Sequence, residues 1–415
     1  MKFPSRVKSL GKSLLGTGAA GAIIIGIDTL VAAVEIVRMR RSQREFGVTI
    51  VAAPGAGNIG DQALLEACLD QAGDGRISIL AGGAEALKIP ARFQERVDVV
   101  SSRALLYSIG PKRFQGVRTL VRLAHRSKHV WIIGADTMDG AYNPLASVSR
   151  FSVAWLASIA GAKSRVLGFS WNDRATRSSI VAAKFVQRRA LLSVRDPISL
   201  RRIRGSGVHL ATLCADIVFS RVGQHVEEPR LTKWCDAQIA EGRQIAVVNA
   251  SGLISSSFDQ ISEYEYVVEN LIEKGWSVVL LPHVSRPGND DIEELSKVRV
   301  DRVGGDQVFR VPELLSPDQV VSLAGRASVI ITGRMHLAVL GILSGTYPIT
   351  MSTQGKVEGL YEVLGAPHLV IEPEAGCGKK ILDALGELSR PDGQVRRVPE
   401  LDVARLANRA ELAFQ

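Results

Sequence analysis

From Phe46 onward the chain alternates between short apolar runs and stretches with helical spacing. GVTIVAA (47–53), RISIL (76–80), HVWIIGA (129–135), SRVLGFS (164–170) and ALLSV (190–194) read as strands, each ending in a small or polar turn. Short β-branched runs between helices predict a parallel sheet covered on both faces. Polar residues gather between about Ser220 and Arg243, and the pattern then restarts. QIAVVNA (244–250), WSVVLLPHV (276–284), SVIIT (328–332) and YPITMS (347–352) are the next strands, with YEYVVENLIEKG and QVVSLAGRA as helices between them. The end of the chain, LDVARLANRAELAF, is amphipathic and helical. The expected fold class is α/β, with Rossmann-like domains at 46–225 and 226–395 and a C-terminal helix within 396–415. Two such halves predict a ligand cleft between them.

Ahead of these units, residues 1–45 form a basic and apolar extension. Its stretch Leu14–Val34 is 21 residues long, enough to span a bilayer. Asp28 lies near its middle, where a carboxylate costs roughly 3 kcal/mol on insertion scales. Basic residues flank both ends equally, so charge sets no orientation, and no small-residue cleavage site follows. Two readings stand: contact with a membrane, spanning or interfacial, and a helix packed on the protein body or on a second copy of the chain.

Composition narrows the function classes. The 415 residues carry a net charge of +9, and up to Gly47 eight basic residues face three acidic ones, so the tail holds over half of the excess. The body lacks a dense basic stripe with interleaved aromatics, so no nucleic-acid partner is expected. Cys68, Cys214, Cys235 and Cys377 are far apart and form no CxxC pair. They are expected to be reduced core thiols, in keeping with a cytoplasmic location.

Four stretches carry candidate chemistry. APGAGNIGDQALLEA (53–67) sets Gly55, Gly57 and Gly60 as G-x-G-x-x-G between a strand and a helix, the context of a dinucleotide-binding turn. Against that reading, Asp74 precedes the second strand, Glu85 lies beyond its turn, and Asp61 would oppose a pyrophosphate. A tight turn with Asp61 favourable to the helix dipole is the plainer alternative. In LLSVRDPISLRRI (191–203), Asp196 suits a helix cap and Pro197 the first turn, whereas Arg195 can grip a carboxylate or phosphate bidentately. In LLPHVSRPGNDD (280–291), His283 leaves the C-terminal end of a central strand, a usual place for ligand contacts, with a structural histidine as the alternative.

The fourth stretch is TGRMHLAVLGILSGTYPI (332–349). Arg334 and His336 open a helix that is otherwise apolar. The macrodipole disfavours cations there unless something negative lies close by, and helix N-termini are ready anion sites. Two solvent-facing cations are the alternative. Lys356 follows the next strand. HExxH, GxSxG, P-loop and spaced His/Cys patterns are absent, so no metal is expected.

GNIGDQALLEA, SVRDPIS, CADIVF, LLPHV with NDD, and TGRMHLAVLGILSGTYPI with its downstream Lys356 and GLYEVLG occur in one order. In that order, over roughly residues 47–370, the chain resembles the polysaccharide pyruvyl transferase family. The resemblance implies a two-domain fold like that of the GT-B glycosyltransferases. It also implies transfer of pyruvate from phosphoenolpyruvate to a saccharide, free or lipid-linked, with no further cofactor. Arg334, Arg195 and Lys356 would then bind the donor together with Asn58 and Gly60. His336 or His283 would be the general acid, and Asp61 would orient or deprotonate the acceptor hydroxyl. The chain departs from the family in IIGADTMDG, where Ala135 and Asp136 stand in a stretch that relatives fill with glycines. A nucleotide-sugar glycosyltransferase, a nicotinamide-dependent oxidoreductase and a non-catalytic, membrane-docked relative are the rival readings. Self-association is left open.

Overall fold

The computed structural model describes residues 15–39, 44–83, 87–300, 305–353 and 355–415. Glu85 and the basic residues of 1–14 and 40–43 lie outside these. The chain divides into two compact units. The first comprises the chain up to Gly55, Leu64–Arg221 and Asn408–Gln415; the second comprises Ala56–Ala63 and Val222–Ala407. Gly57 and Gly60 of the glycine pattern thus fall in the second unit, although Gly55 and the strand before it belong to the first.

The first unit is built on seven strands: β1 (Phe46–Val51), β2 (Ile77–Ala81), β3 (Val97–Ser101), β4 (Ser127–Ile133), β5 (Lys163–Phe169), β6 (Ala190–Val194) and β7 (Thr212–Leu213). They lie in the order β3-β2-β1-β4-β5-β6-β7. Every pairing is parallel. The second unit has β8 (Ile245–Asn249), β9 (Ser277–Leu280), the hairpin β10 (Ser285–Arg286) and β11 (Asn289–Asp290), then β12 (Val308–Arg310), β13 (Val329–Thr332), β14 (Pro348–Met351) and β15 (Val370–Ile371). Its sheet runs β12-β9-β8-β13-β14-β15, again with every pairing parallel. Each sheet therefore follows the doubly wound Rossmann order, and the strand order reverses between β1 and β4 and between β8 and β13.

The interior strands are apolar because both faces are covered. All five residues of β2 and of β8 are buried. Each such Val, Leu or Ile is worth roughly 1.5–3 kcal/mol when fully buried. Helix starts follow local chemistry. The Asp196 carboxylate caps Pro197–Gly205 by accepting from the Ser199 N–H at 2.7 Å. Ser316 and Gln319 form a capping box on Pro317–Arg326. The polar stretch after Ser220 contains a helix of its own, Pro229–Ala240. The four cysteines are buried and unbridged.

The apolar stretch of the extension is a helix, Gly18–Arg38. It packs within the first unit on the helices Pro111–His125, Pro144–Ile159 and Arg177–Val186. Gly21, Ile25, Asp28, Ala32 and Glu35 form its buried stripe. At Gly21 the approach is so close that a β-carbon would meet the Ser178 carbonyl oxygen at 2.6 Å. Arg113 donates to Asp28 from Nε at 2.9 Å and from Nη2 at 2.7 Å, and the Ser152 hydroxyl also donates to it. Arg122 reaches Glu35 at 2.7 Å. Both carboxylates of the helix are thus answered inside the protein.

Candidate functional site

The second unit gathers polar groups at the C-terminal edge of its sheet, where strand order reverses. Asn249 ends β8, Thr332 ends β13, and the two are register partners. The Thr332 hydroxyl donates to Asn249 Oδ1 at 3.1 Å. Asn249 Nδ2 donates to the Asp291 carboxylate at 2.9 Å, and so do the backbone N–H groups of Gly252, His283 and Val284 at 3.0, 3.1 and 3.0 Å. Asp291 is wholly buried at the start of the helix Asp291–Lys297.

Arg334 closes this network. It stands at the N-cap of the helix Met335–Leu343 and is buried. Its Nε lies 3.2 Å from each Asp291 oxygen, and its Nη2 donates to both Asp291 and Asn289. Nη1 takes part in none of these bonds. The negative group that a cationic helix start requires is thus supplied, in part, by the protein's own Asp291.

His336 lies two residues further on and is partly exposed. Its ring rests on the backbone of Gly60, where a β-carbon would come within 2.5 Å of Nδ1. Gly60 lies in the first turn of the helix Ile59–Gln71. Two helix N-termini, each the positive end of its dipole, therefore meet at Gly60 and His336. The Asn58 side chain holds the Gly60 N–H at 2.9 Å, and Asn58 forms a β-bridge with Val284. Arg286 donates to Asp61 Oδ2 at 2.8 Å and to the Ala56 carbonyl at 2.6 Å.

His283 follows β9 and is buried. Neither ring nitrogen has a hydrogen-bond partner among the described residues. Burial, reinforced by the charges of His336 and Arg334, holds this imidazole well below its ordinary titration range, so it is neutral. Lys356 is buried just past the end of β14, at the N-cap of Val357–Leu364.

Arg195 belongs to the first unit. Its side chain is wholly buried and donates to Ser170 at 2.8 Å, to Asp216 at 3.0 Å and to Asp136. Burial pulls its guanidinium down, but Asp136, Asp216 and Asp196 outweigh this and raise it. Arg195 is thus the clamp on Asp136. Its neighbour Ala135 has φ 45°, the one non-glycine with positive φ among the described residues.

Seven of the eight candidates therefore fall in the second unit: Asn58, Gly60, Asp61, His283, Arg334, His336 and Lys356. Sequence reasoning missed Asp291, Arg286 and Asn289. The signal for Asn289 and Asp291 was the NDD block, a short loop beyond His283, and Arg286 lies in the SRPG turn just before it. Two of the three motif glycines have local causes: a β-carbon at Gly57 would stand 2.1 Å from the Ser285 carbonyl oxygen, and Gly60 yields to His336. Neither needs a dinucleotide to explain it. Among the described residues no group of three or more His, Cys, Asp or Glu side chains could hold a metal ion.

Comparison with known proteins agrees with this architecture. The UDP-GlcNAc 2-epimerase of Methanocaldococcus jannaschii superposes with TM-score 0.54 at 10% identity, over 88% of this chain and 97% of the other. A UDP-N-acetylglucosamine 2-epimerase assigned in Listeria monocytogenes gives 0.53 at 10% identity, over 91% and 97%. Anabaena HepE, solved with UDP and glucose, gives 0.52 at 11% identity, over 89% and 95%. At such identities the likeness is one of fold, the GT-B-like pair of Rossmann-type units. No curated protein matches the sequence. The sequence model of the polysaccharide pyruvyl transferase family matches residues 58–355, most of the chain and the whole of the network around Asp291, and the protein belongs to that family.

Proposed function

We propose that the protein transfers a pyruvyl group from phosphoenolpyruvate to a saccharide, forming a pyruvate ketal. The observation that carries this reading is the meeting of two helix N-termini at Gly60 and His336, with Arg334 at the N-cap of the second helix. Such a site favours a ligand with several negative charges close together, and phosphoenolpyruvate has a phosphate and a carboxylate on adjacent atoms.

In this scheme Arg334 Nη1, Lys356 and the helix-start N–H groups hold the donor. His336 gives a proton to the vinyl methylene carbon, leaving an oxocarbenium-like centre at the substituted carbon. His283, kept neutral by burial, is the poorer proton donor and supports His336 instead. A sugar hydroxyl adds to the cationic carbon and loses its proton toward Asp61. Phosphate leaves with the electron pair of its carbon–oxygen bond. A second hydroxyl adds, loses its proton and closes the ketal. The acceptor is a saccharide, free or lipid-linked, and the reaction belongs to cytoplasmic assembly of cell-surface polysaccharide. Phosphoenolpyruvate is a substrate, and the scheme needs no further cofactor.

The test is thermal stabilisation by phosphoenolpyruvate, by UDP-sugars and by NAD, followed by phosphate release with a panel of saccharides. A ligand at 100 times its Kd adds about 2.7 kcal/mol. Stabilisation by phosphoenolpyruvate, with turnover that His336→Asn removes, is the expected result. Stabilisation by UDP-sugars alone would assign a glycosyltransferase, and by NAD alone an oxidoreductase. Stabilisation by none would assign a non-catalytic relative.

A further inference from the structure

The outward face of the helix Gly18–Arg38 is an apolar surface. Ala19, Ala22, Ile23, Gly26, Ile27, Leu30, Ala33, Val34 and Val37 are exposed, and no charged residue shows on the helix before Arg38. Leu30 is 71% exposed and Val37 86%. The face is about 28 Å long at 1.5 Å per residue. The apolar surface continues onto Phe185, which is exposed and packs on Trp155 with ring centroids 4.3 Å apart. Arg189 lies over that same Trp155 ring, 5.6 Å from its centroid.

The helices on which Gly18–Arg38 packs carry charges of one sign. The three helices beneath contain no acidic residue. Their exposed charges are Lys112, Arg118, Arg122, Arg177 and Lys184, with Arg188 and Arg189 just beyond. Both carboxylates of the apolar helix point inward to Arg113 and Arg122. An apolar strip on helices that carry only cations, with a tryptophan under an arginine at its edge, has the chemistry of a surface that enters the headgroup layer of an anionic bilayer.

We propose that the first unit docks on anionic phospholipid through this face, with the helix Gly18–Arg38 lying in the membrane plane. The helix does not span: its inner stripe carries two carboxylates that the protein body neutralises, and a span would take both from their partners. A second copy of the chain fits poorly, because a two-fold contact through this face would bring the cations of these helices against their own copies.

The test is flotation of the full-length protein with vesicles of phosphatidylglycerol and phosphatidylcholine in equal parts, and with phosphatidylcholine alone. Binding to the anionic vesicles should be roughly 10-fold stronger, weaken at high salt and be reversed by an alkaline carbonate wash. Leu30→Glu with Val34→Glu should lower binding about 10-fold at an unchanged melting temperature. Leu30→Ser alone, a milder change, should lower it in the same direction and decides the matter if the double variant fails to fold. Equal binding to neutral vesicles, no binding to either, resistance to carbonate or indifference to both variants would overturn the proposal. So would a stable dimer that Leu30→Ser dissociates.

Discussion

Asp291 and Arg334 form a buried ion pair where the strand order of the second sheet reverses, and the pair is paid into by five further donors to the carboxylate and its neighbours. Removing one member of a buried pair strands the other, at roughly 3–5 kcal/mol. Asp291→Ala should therefore shift the urea transition of the second unit by about that amount. Arg334→Ala would strand Asp291 in the same way, so it does not isolate ligand binding. Arg334→Lys keeps a cation beside Asp291 but cannot serve Asp291, Asn289 and a ligand together. It should keep most of the stability and lose stabilisation by phosphoenolpyruvate. If phosphoenolpyruvate still stabilises the lysine variant fully, Arg334 has a structural role alone.

His336 owes its place to the missing side chain at Gly60. A β-carbon there would meet the ring at 2.5–2.7 Å, and the imidazole is the group that has to move. A displacement of about 1 Å near reacting atoms can cost on the order of 100-fold in rate. Gly60→Ala should thus lower the proposed pyruvyl transfer by at least 10-fold while the overpacking removes only about 1–3 kcal/mol of stability. The check is kcat set beside the melting temperature. Unchanged kcat would remove His336 from the proton-transfer role.

The divide between what could be read from the sequence and what could not runs along burial. Each expected strand corresponds to a strand in the structure, and those are the interior ones. The strands missed at the sheet margins are β3, β7, β12 and β15, the four edges. An edge strand is covered on fewer sides, so VDVVS (β3) mixes Asp and Ser into its run and lacks the apolar signature. The cations of the site were legible because Arg334 and His336 contradict the dipole of an apolar helix. Asp291 was not, because a carboxylate at a helix start is favourable and raises no question. Only the fold shows that Arg334, 43 residues away, is its partner. For Arg195 the position at a strand end was legible, but not the carboxylates of Asp136 and Asp216 that occupy it.

Ala135 holds a backbone conformation that suits glycine, with φ 45°. A left-handed conformation costs an L-residue roughly 1–2 kcal/mol, and glycine's extra freedom in the unfolded chain returns part of that. Ala135→Gly should stabilise the first unit by about 0.5–1 kcal/mol, read as a rise in melting temperature. A fall would show that the methyl group's packing outweighs the strain.

His283 makes stability depend on pH with a definite sign. Its folded-state pKa lies below the unfolded value, through burial first and then His336 and Arg334. Below about pH 6.5 the unfolded chain binds a proton that the folded chain refuses. Stability is therefore complete above that pH and falls as the pH drops, by up to about 1.4 kcal/mol per unit. His129, lowered by burial and then by Arg165, acts in the same direction, so the informative quantity is a difference between proteins. His283→Asn should lose less stability than the parent between about pH 7 and pH 5. Identical slopes would mean that His283 protonates within the fold.

Asp28 separates a docked helix from a spanning one. In the structure it accepts from Arg113 and Ser152 with almost no solvent contact, so Asp28→Asn leaves the Arg113 guanidinium buried without its counter-charge. The expected loss is about 3–5 kcal/mol, and Asp28→Leu should fare no better, since it also strands Arg113. In a helix that crossed a bilayer the same leucine would favour insertion by roughly 3 kcal/mol. Urea unfolding of the two variants in detergent-free buffer, set beside their membrane extraction, tells these apart. Destabilised protein that stays extractable by carbonate fits the docked helix. Leucine protein that is stable and resists extraction would mean that the helix leaves Arg113 for the lipid.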